Sequence, residues 1–129
     1  MSTTPRNIRV QINLLKAGLD PNDKRPTKGE FQYSRALARV MTGDTITWWS
    51  NDGPFALNFQ QGTPFDKMLI VSHAANRGGK IQESDAMTVR KRPAPARYYY
   101  TVALTSIDPA DPDNSETFMD SCPAVLDEC

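Results

Sequence analysis

The stretch Met41-Thr42-Gly43-Asp44-Thr45-Ile46-Thr47-Trp48-Trp49-Ser50-Asn51-Asp52-Gly53-Pro54-Phe55-Ala56-Leu57-Asn58-Phe59-Gln60 decides the fold class. It reads as turn, strand, breaker, strand. Gly43 supplies the backbone conformation of a tight turn, and the Asp44 side chain can hydrogen-bond back onto that turn. Residues 45–49 are β-branched or aromatic throughout, which is strand composition. Alternation sends Ile46 and Trp48 to the core and Trp49 to the opposite face. Ser50-Asn51-Asp52-Gly53-Pro54 is a dense breaker cluster, and the strand pattern resumes over 55–60.

The same alternation extends in both directions. Ile8, Val10, Ile12 and Leu14 interleave with Arg9, Gln11 and Asn13, the pattern of a half-buried edge or near-edge strand. Residues 17–29, with Gly18, Pro21, Pro26 and Gly29, read as a long polar connection. A second extended stretch over 33–40 is interrupted at 34–36. Short apolar runs at 68–71 and 86–89 flank a glycine-containing loop over 73–80. A basic, proline-punctuated connection over 90–97 leads into a strand at 98–104. Residues 106–115 read as a turn region, and 117–126 as a last strand broken by Pro123, which suits an edge or a bulge. Seven or eight short strands separated by turn signals predict one all-β domain over 1–129.

Composition bounds the function. The chain has 129 residues, 39% hydrophobic and 23% charged, with 15 basic and 15 acidic side chains. That excludes a disordered tail and a supercharged nucleic-acid binder. No apolar run approaches the roughly 20 residues of a membrane span. The neutrality conceals an asymmetry: residues 1–104 carry every Lys and Arg, and 105–129 carry seven acidic residues and no basic one. An acidic last strand packed beside a basic face is the expected arrangement. Cys122 and Cys129 both fall in the last eight residues, which is no disulfide framework, so free thiols are expected. Residues 1–6 lack the apolar core and cleavage site of a secretory signal. These features together predict a cytoplasmic protein.

Residues 33–52, from Tyr33-Ser34-Arg35-Ala36-Leu37 through Val40 and Gly43-Asp44-Thr45-Ile46-Thr47-Trp48 to Asn51-Asp52, resemble the cupredoxin family. There an aromatic and a small polar residue lead into a strand ending in Val. A Gly-Asp turn, a Thr-Val-Thr-Trp-like strand and an Asn/Asp-rich loop follow. Tyr98-Tyr99-Tyr100-Thr101-Val102 is similar to the aromatic-x-aromatic strand near that family's C-terminal end. Over its whole length the chain is also similar to small bacterial cupredoxin-like proteins without copper, including the Asp120-Ser121-Cys122-Pro123 ending. The resemblance implies a cupredoxin-like or immunoglobulin-like Greek-key β-sandwich of seven to eight strands. It also implies where copper ligands would stand: histidines near Ala56 and Thr105, a cysteine near Val102. With His73 as the sole histidine, a centre of two imidazoles and a thiolate cannot be assembled. No metal and no other cofactor is expected.

Four groups of residues remain as candidates. Trp49, Asp52, Phe55 and Phe65 would form an aromatic patch at one end of the sandwich if their loops meet there, and aromatic anchors are what interfaces use. Arg90, Lys91, Arg92 and Arg97, followed by three tyrosines, offer an anion site, although overall neutrality argues against nucleic acid. His73 beside Ser72 makes a poor catalytic pair, with no carboxylate in the seven residues after it. Asp111, Asp113, Ser115 and Glu116 are oxygen donors without the spacing of a calcium loop. The expectation is therefore a non-enzymatic module that binds a protein partner or its own copy, with a homodimer favoured. Nucleic-acid or anion binding through 90–97 is the alternative, and a metal-dependent enzyme a distant third.

Overall fold

Ile8, Val10, Ile12 and Leu14 are buried while Arg9 and Leu15 face solvent, so the opening alternation folds as its period requires. The computed structural model describes residues 4–19, 26–75, 80–108, 111–121 and 123–128. Its strands are β1 (Asn7–Leu19), β2 (Pro26–Tyr33), β3 (Leu37–Val40), β4 (Thr45–Ser50), β5 (Phe55–Asn58), β6 (Leu69–Val71) and β7 (His73–Ala74). They continue as β8 (Gln82–Glu83), β9 (Met87–Thr88), β10 (Ala96–Tyr99), β11 (Thr101–Asp108), β12 (Asp111–Asp120) and β13 (Ala124–Asp127). The chain is an all-β sandwich. No helix of the described residues is long and apolar enough to cross a membrane.

One sheet runs β2-β1-β4-β8-β7, with β9 also paired to β4. A second runs β12-β11-β5-β6 and a third β10-β13-β3. Two pairs are parallel, β1 with β4 and β3 with β13. Parallel neighbours require the chain to leave the sheet and return. Here it leaves after Tyr33, contributes β3 to the third sheet, and returns through the turn at Met41–Asp44. That turn closes with the Asp44 amide donating to the Met41 carbonyl at 3.0 Å, and Gly43 takes a φ of +93°.

Of the expected seven or eight strands, two are subdivided because the chain changes sheets within them, and β2, β7 and β8 are additional. Residues 98–104 split at Tyr100 between β10 and β11, and the last strand splits between β12 and β13. Between the register pairs Tyr99–Ala124 and Val102–Asp120, two residues on one side oppose three on the other. This is the arithmetic of a β-bulge, bridged by the Tyr100 amide donating to the Pro123 carbonyl. The long connection expected over 17–29 is instead largely strand, since β1 extends to Leu19 and pairs with Pro26 at the start of β2. Pro26 and Gly29 are tolerated because β2 is an edge strand, where a missing donor costs no ladder bond. The turn region expected over 106–115 is likewise mostly strand: β11 reaches Asp108, which pairs with Asp111. Cys122 and Cys129 lie outside the described residues.

All three sheets contribute to one core. Trp48, Phe59, Phe65 and Tyr100 form its centre, with ring centroids 5.1–6.4 Å apart in tilted or edge-to-face contact, the arrangement that ring quadrupoles favour. The Trp48 indole N–H donates to the Tyr100 hydroxyl at 3.1 Å inside this cluster, so the buried indole donor is satisfied. Burial pushes the Tyr100 phenol far above its ordinary range, and it stays neutral.

Candidate functional site

The aromatic patch expected from Trp49, Asp52, Phe55 and Phe65 does not form. Phe55 opens β5 facing inward with Leu57, and Phe65 packs edge-on against Trp48 at 5.8 Å; both are core residues, 4% and 2% exposed. Trp49 is half-buried on the outer face of the first sheet, with the Arg9 guanidinium 5.9 Å above its ring. Asp52 is committed to structure, accepting the Leu14 amide at 2.7 Å. The physical cause is parity. Gly53 and Pro54 deliver the chain directly into β5, and the register of Leu104 opposite Phe55 fixes Phe55 on the buried side.

The basic segment is divided among different tasks. Arg92 donates to the carbonyls of Thr63 and Phe65, and the Arg90 amide donates to the Pro64 carbonyl at 2.9 Å. These contacts clamp the 63–66 loop over the core. Arg97 sits on β10 and reaches the Tyr99 hydroxyl at 3.4 Å. Only Arg90 and Lys91 line a shared pocket of about 540 Å³, with Asp66, Lys67, Asp85 and Met87. Arg90 lies 3.7 Å from Asp66 within it, so the pocket is of mixed charge.

His73 meets a carboxylate that sequence distance concealed. Its Nε2 lies 3.1 Å from Asp85, twelve residues on. The Ala74 carbonyl and the Asp85 carboxylate hold its pKa above the ordinary imidazole value. Ser72 does not complete the pair: its hydroxyl accepts the Phe55 amide and donates to Gln82. The side chains of Asp111, Asp113 and Ser115 lie outside those described. Among the described residues no three His, Cys, Asp or Glu side chains converge on a metal-sized point. Where the cupredoxin resemblance would place copper ligands stand a methyl group, an isopropyl group and a hydroxyl, those of Ala56, Val102 and Thr105, a donor set that does not fit copper.

The two outer faces of the sandwich differ in kind. On the first sheet the register aligns Gln11, Trp49, Glu83 and His73 in one row, and Arg9 lies 3.6 Å from Glu83. That face is solvated and charged. On the second sheet the register aligns Met119, Ala103, Ala56 and Val71. One flanking row pairs Thr105 with Thr117, their hydroxyls 2.9 Å apart, and the other runs Thr101, Asn58 and Leu69. None of these nine residues is charged, and Met119, Val71 and Leu69 are 68%, 60% and 57% exposed. Small side chains (Ala103, Ala56) occupy the two middle strands of the row, and Met119 and Val71 its ends. Sequence reasoning missed it because its members come from four separated segments. The available signal was the lack of charge at 56, 58, 69, 71, 101, 103 and 105. A scan against protein-family models finds no match to the chain, and none is found among curated proteins.

Proposed function

We propose that this protein is a non-enzymatic, cupredoxin-like module that associates with its own copy through the outer face of the second sheet. The observation that carries this reading is the uncharged Met119–Ala103–Ala56–Val71 row with exposed apolar residues at both ends. Solvent-facing sheet surfaces ordinarily carry charge against association, as the opposite face does here. A neutral face meets its two-fold copy without like-charge repulsion, and each Met119 or Val71 gains apolar contact. The surface thus replaces the loop patch as the contact site, while the class of function stays the same. Sedimentation velocity on the wild type and on Val71→Glu with Met119→Glu tests it. The wild type should self-associate, and the double variant should be monomeric with an unchanged melting temperature. A wild type that stays monomeric at its highest soluble concentration overturns the reading.

Anion binding at the 66–91 pocket is the second reading, supported by Lys67 and Lys91, which have no ion-pair partner among the described residues. It predicts phosphate binding that weakens steeply with salt.

A further inference from the structure

We propose that the notch over the Tyr100–Pro123 bulge is a binding site for one neutral sugar ring. The notch has a volume of about 270 Å³ and is lined by Asn58, Gln60, Gln61, Tyr99, Thr101 and Ser121 above the backbone of Tyr100. That is just under the roughly 300–1,000 Å³ of sites for drug-sized ligands, which suits a single ring. It lies where the ladder between the β10–β11 and β12–β13 lines is interrupted. Bulges concentrate next to functional sites, where they re-aim side chains.

The lining selects the ligand class by elimination. No lining residue is charged, so neither an anion nor a cation finds its counter-charge. The lining is amide and hydroxyl rather than hydrocarbon, so a purely apolar molecule would strand polar groups. The side chains of Asn58, Gln60, Gln61, Thr101 and Ser121 make no hydrogen bond to any described residue. Each amide offers both donors and an acceptor, and each hydroxyl offers both roles. A ligand carrying several hydroxyls at fixed spacing matches such a set. Tyr99 supplies the remaining element: it is 55% exposed, and the negative face of its ring attracts the weakly positive C–H face of a pyranose. The Arg97 guanidinium lies 3.4 Å from the Tyr99 hydroxyl, and the stacking needs the ring rather than that hydroxyl.

Asn58 and Thr101 also lie on the row flanking Met119–Val71, so the test is run both on the wild type and on the Val71→Glu, Met119→Glu variant, in which that face is not covered by a second copy. The test is an NMR titration of the ¹⁵N-labelled full chain with methyl glucoside, methyl galactoside, methyl mannoside and N-acetylglucosamine in turn. For a ligand of so few atoms, a dissociation constant of about 1 mM is expected. At least one sugar should shift the side-chain amide signals of Asn58, Gln60 and Gln61 saturably. Tyr99→Ala should weaken that sugar about tenfold, and Tyr99→Phe should retain it. Gln61→Leu, in an exposed turn, gives a second weakened variant that does not touch a strand. The proposal is overturned if no sugar gives a saturable shift, if the shifts survive undiminished in both weakened variants, or if inorganic phosphate shifts the same signals more tightly.

Discussion

Gly53 and Asp44 show how narrowly single positions are specified. Gly53 takes a φ of +146°, and a methyl group there would overlap the Thr105 carbonyl oxygen. The obstacle is backbone, in the segment where the Thr105 amide donates to the Pro54 carbonyl, so it cannot swing aside. Gly53→Ala is therefore expected to unfold the domain or lower its melting temperature severely, as circular dichroism would show. Asp44 is buried, and burial alone would raise its carboxyl. The amides of Arg6 and Met41 and the Arg6 guanidinium at 2.9 Å outweigh that and hold it below its ordinary value. A depressed folded pKa stabilises the protein above the unfolded value, and the benefit disappears as pH falls through the folded one. The wild type should accordingly lose stability on acidification below about pH 4. Asp44→Asn should melt lower at neutral pH and show a flatter acid limb; equal acid slopes in the two proteins would refute this account.

At the scale of elements, the 63–66 loop and β5 are parts of the core. Phe55 and Phe65 were expected at a contact surface, and their burial reverses what truncation should do. Phe65→Ala removes a ring touching both Trp48 and Phe59 and should cost about 3–5 kcal/mol in urea denaturation. A loss under about 1 kcal/mol would mean that the loop is not packed as described. The element pattern was legible where strands alternate: β1, β4 and β5 were all evident from local composition. Strand ends were not. Tyr100 continues the strand composition while the chain passes from one sheet to another, and Pro123 signals a break without naming the new hydrogen-bonding partner. The β1–β2 hairpin was hidden for the opposite reason, since proline and glycine signal a loop unless the strand lies at an edge.

Across the whole chain, every basic residue precedes position 105 and seven acidic ones follow it. The acidic C-terminal segment was expected to neutralise a basic face. Glu128 of that segment meets Arg39 at 2.9 Å. Asp120 instead accepts the Tyr33 hydroxyl at 2.7 Å and ties β12 to β2. Among the described residues, the outer face of the first sheet carries charge and the nine positions named on the second carry none. Association through the neutral face should therefore persist, or strengthen, from low to high sodium chloride, since little screened attraction is involved. Dissociation on raising salt, followed by sedimentation velocity, would place the contact on the charged face instead.

The sequence by itself determined the all-β class, the inward choice of Ile46 and Trp48, the turn at Gly43-Asp44 and the impossibility of a type-1 copper centre. Each of these depends on residues adjacent in the chain, on a period of two, or on a count of ligands. Only the tertiary structure decided which aromatic residues are core, that Asp85 stands beside His73, and that Ala56, Val71, Ala103 and Met119 share one row. Those facts depend on strand register. Register is fixed by pairing between segments tens of residues apart, where a shift of one residue would turn every side chain to the other face.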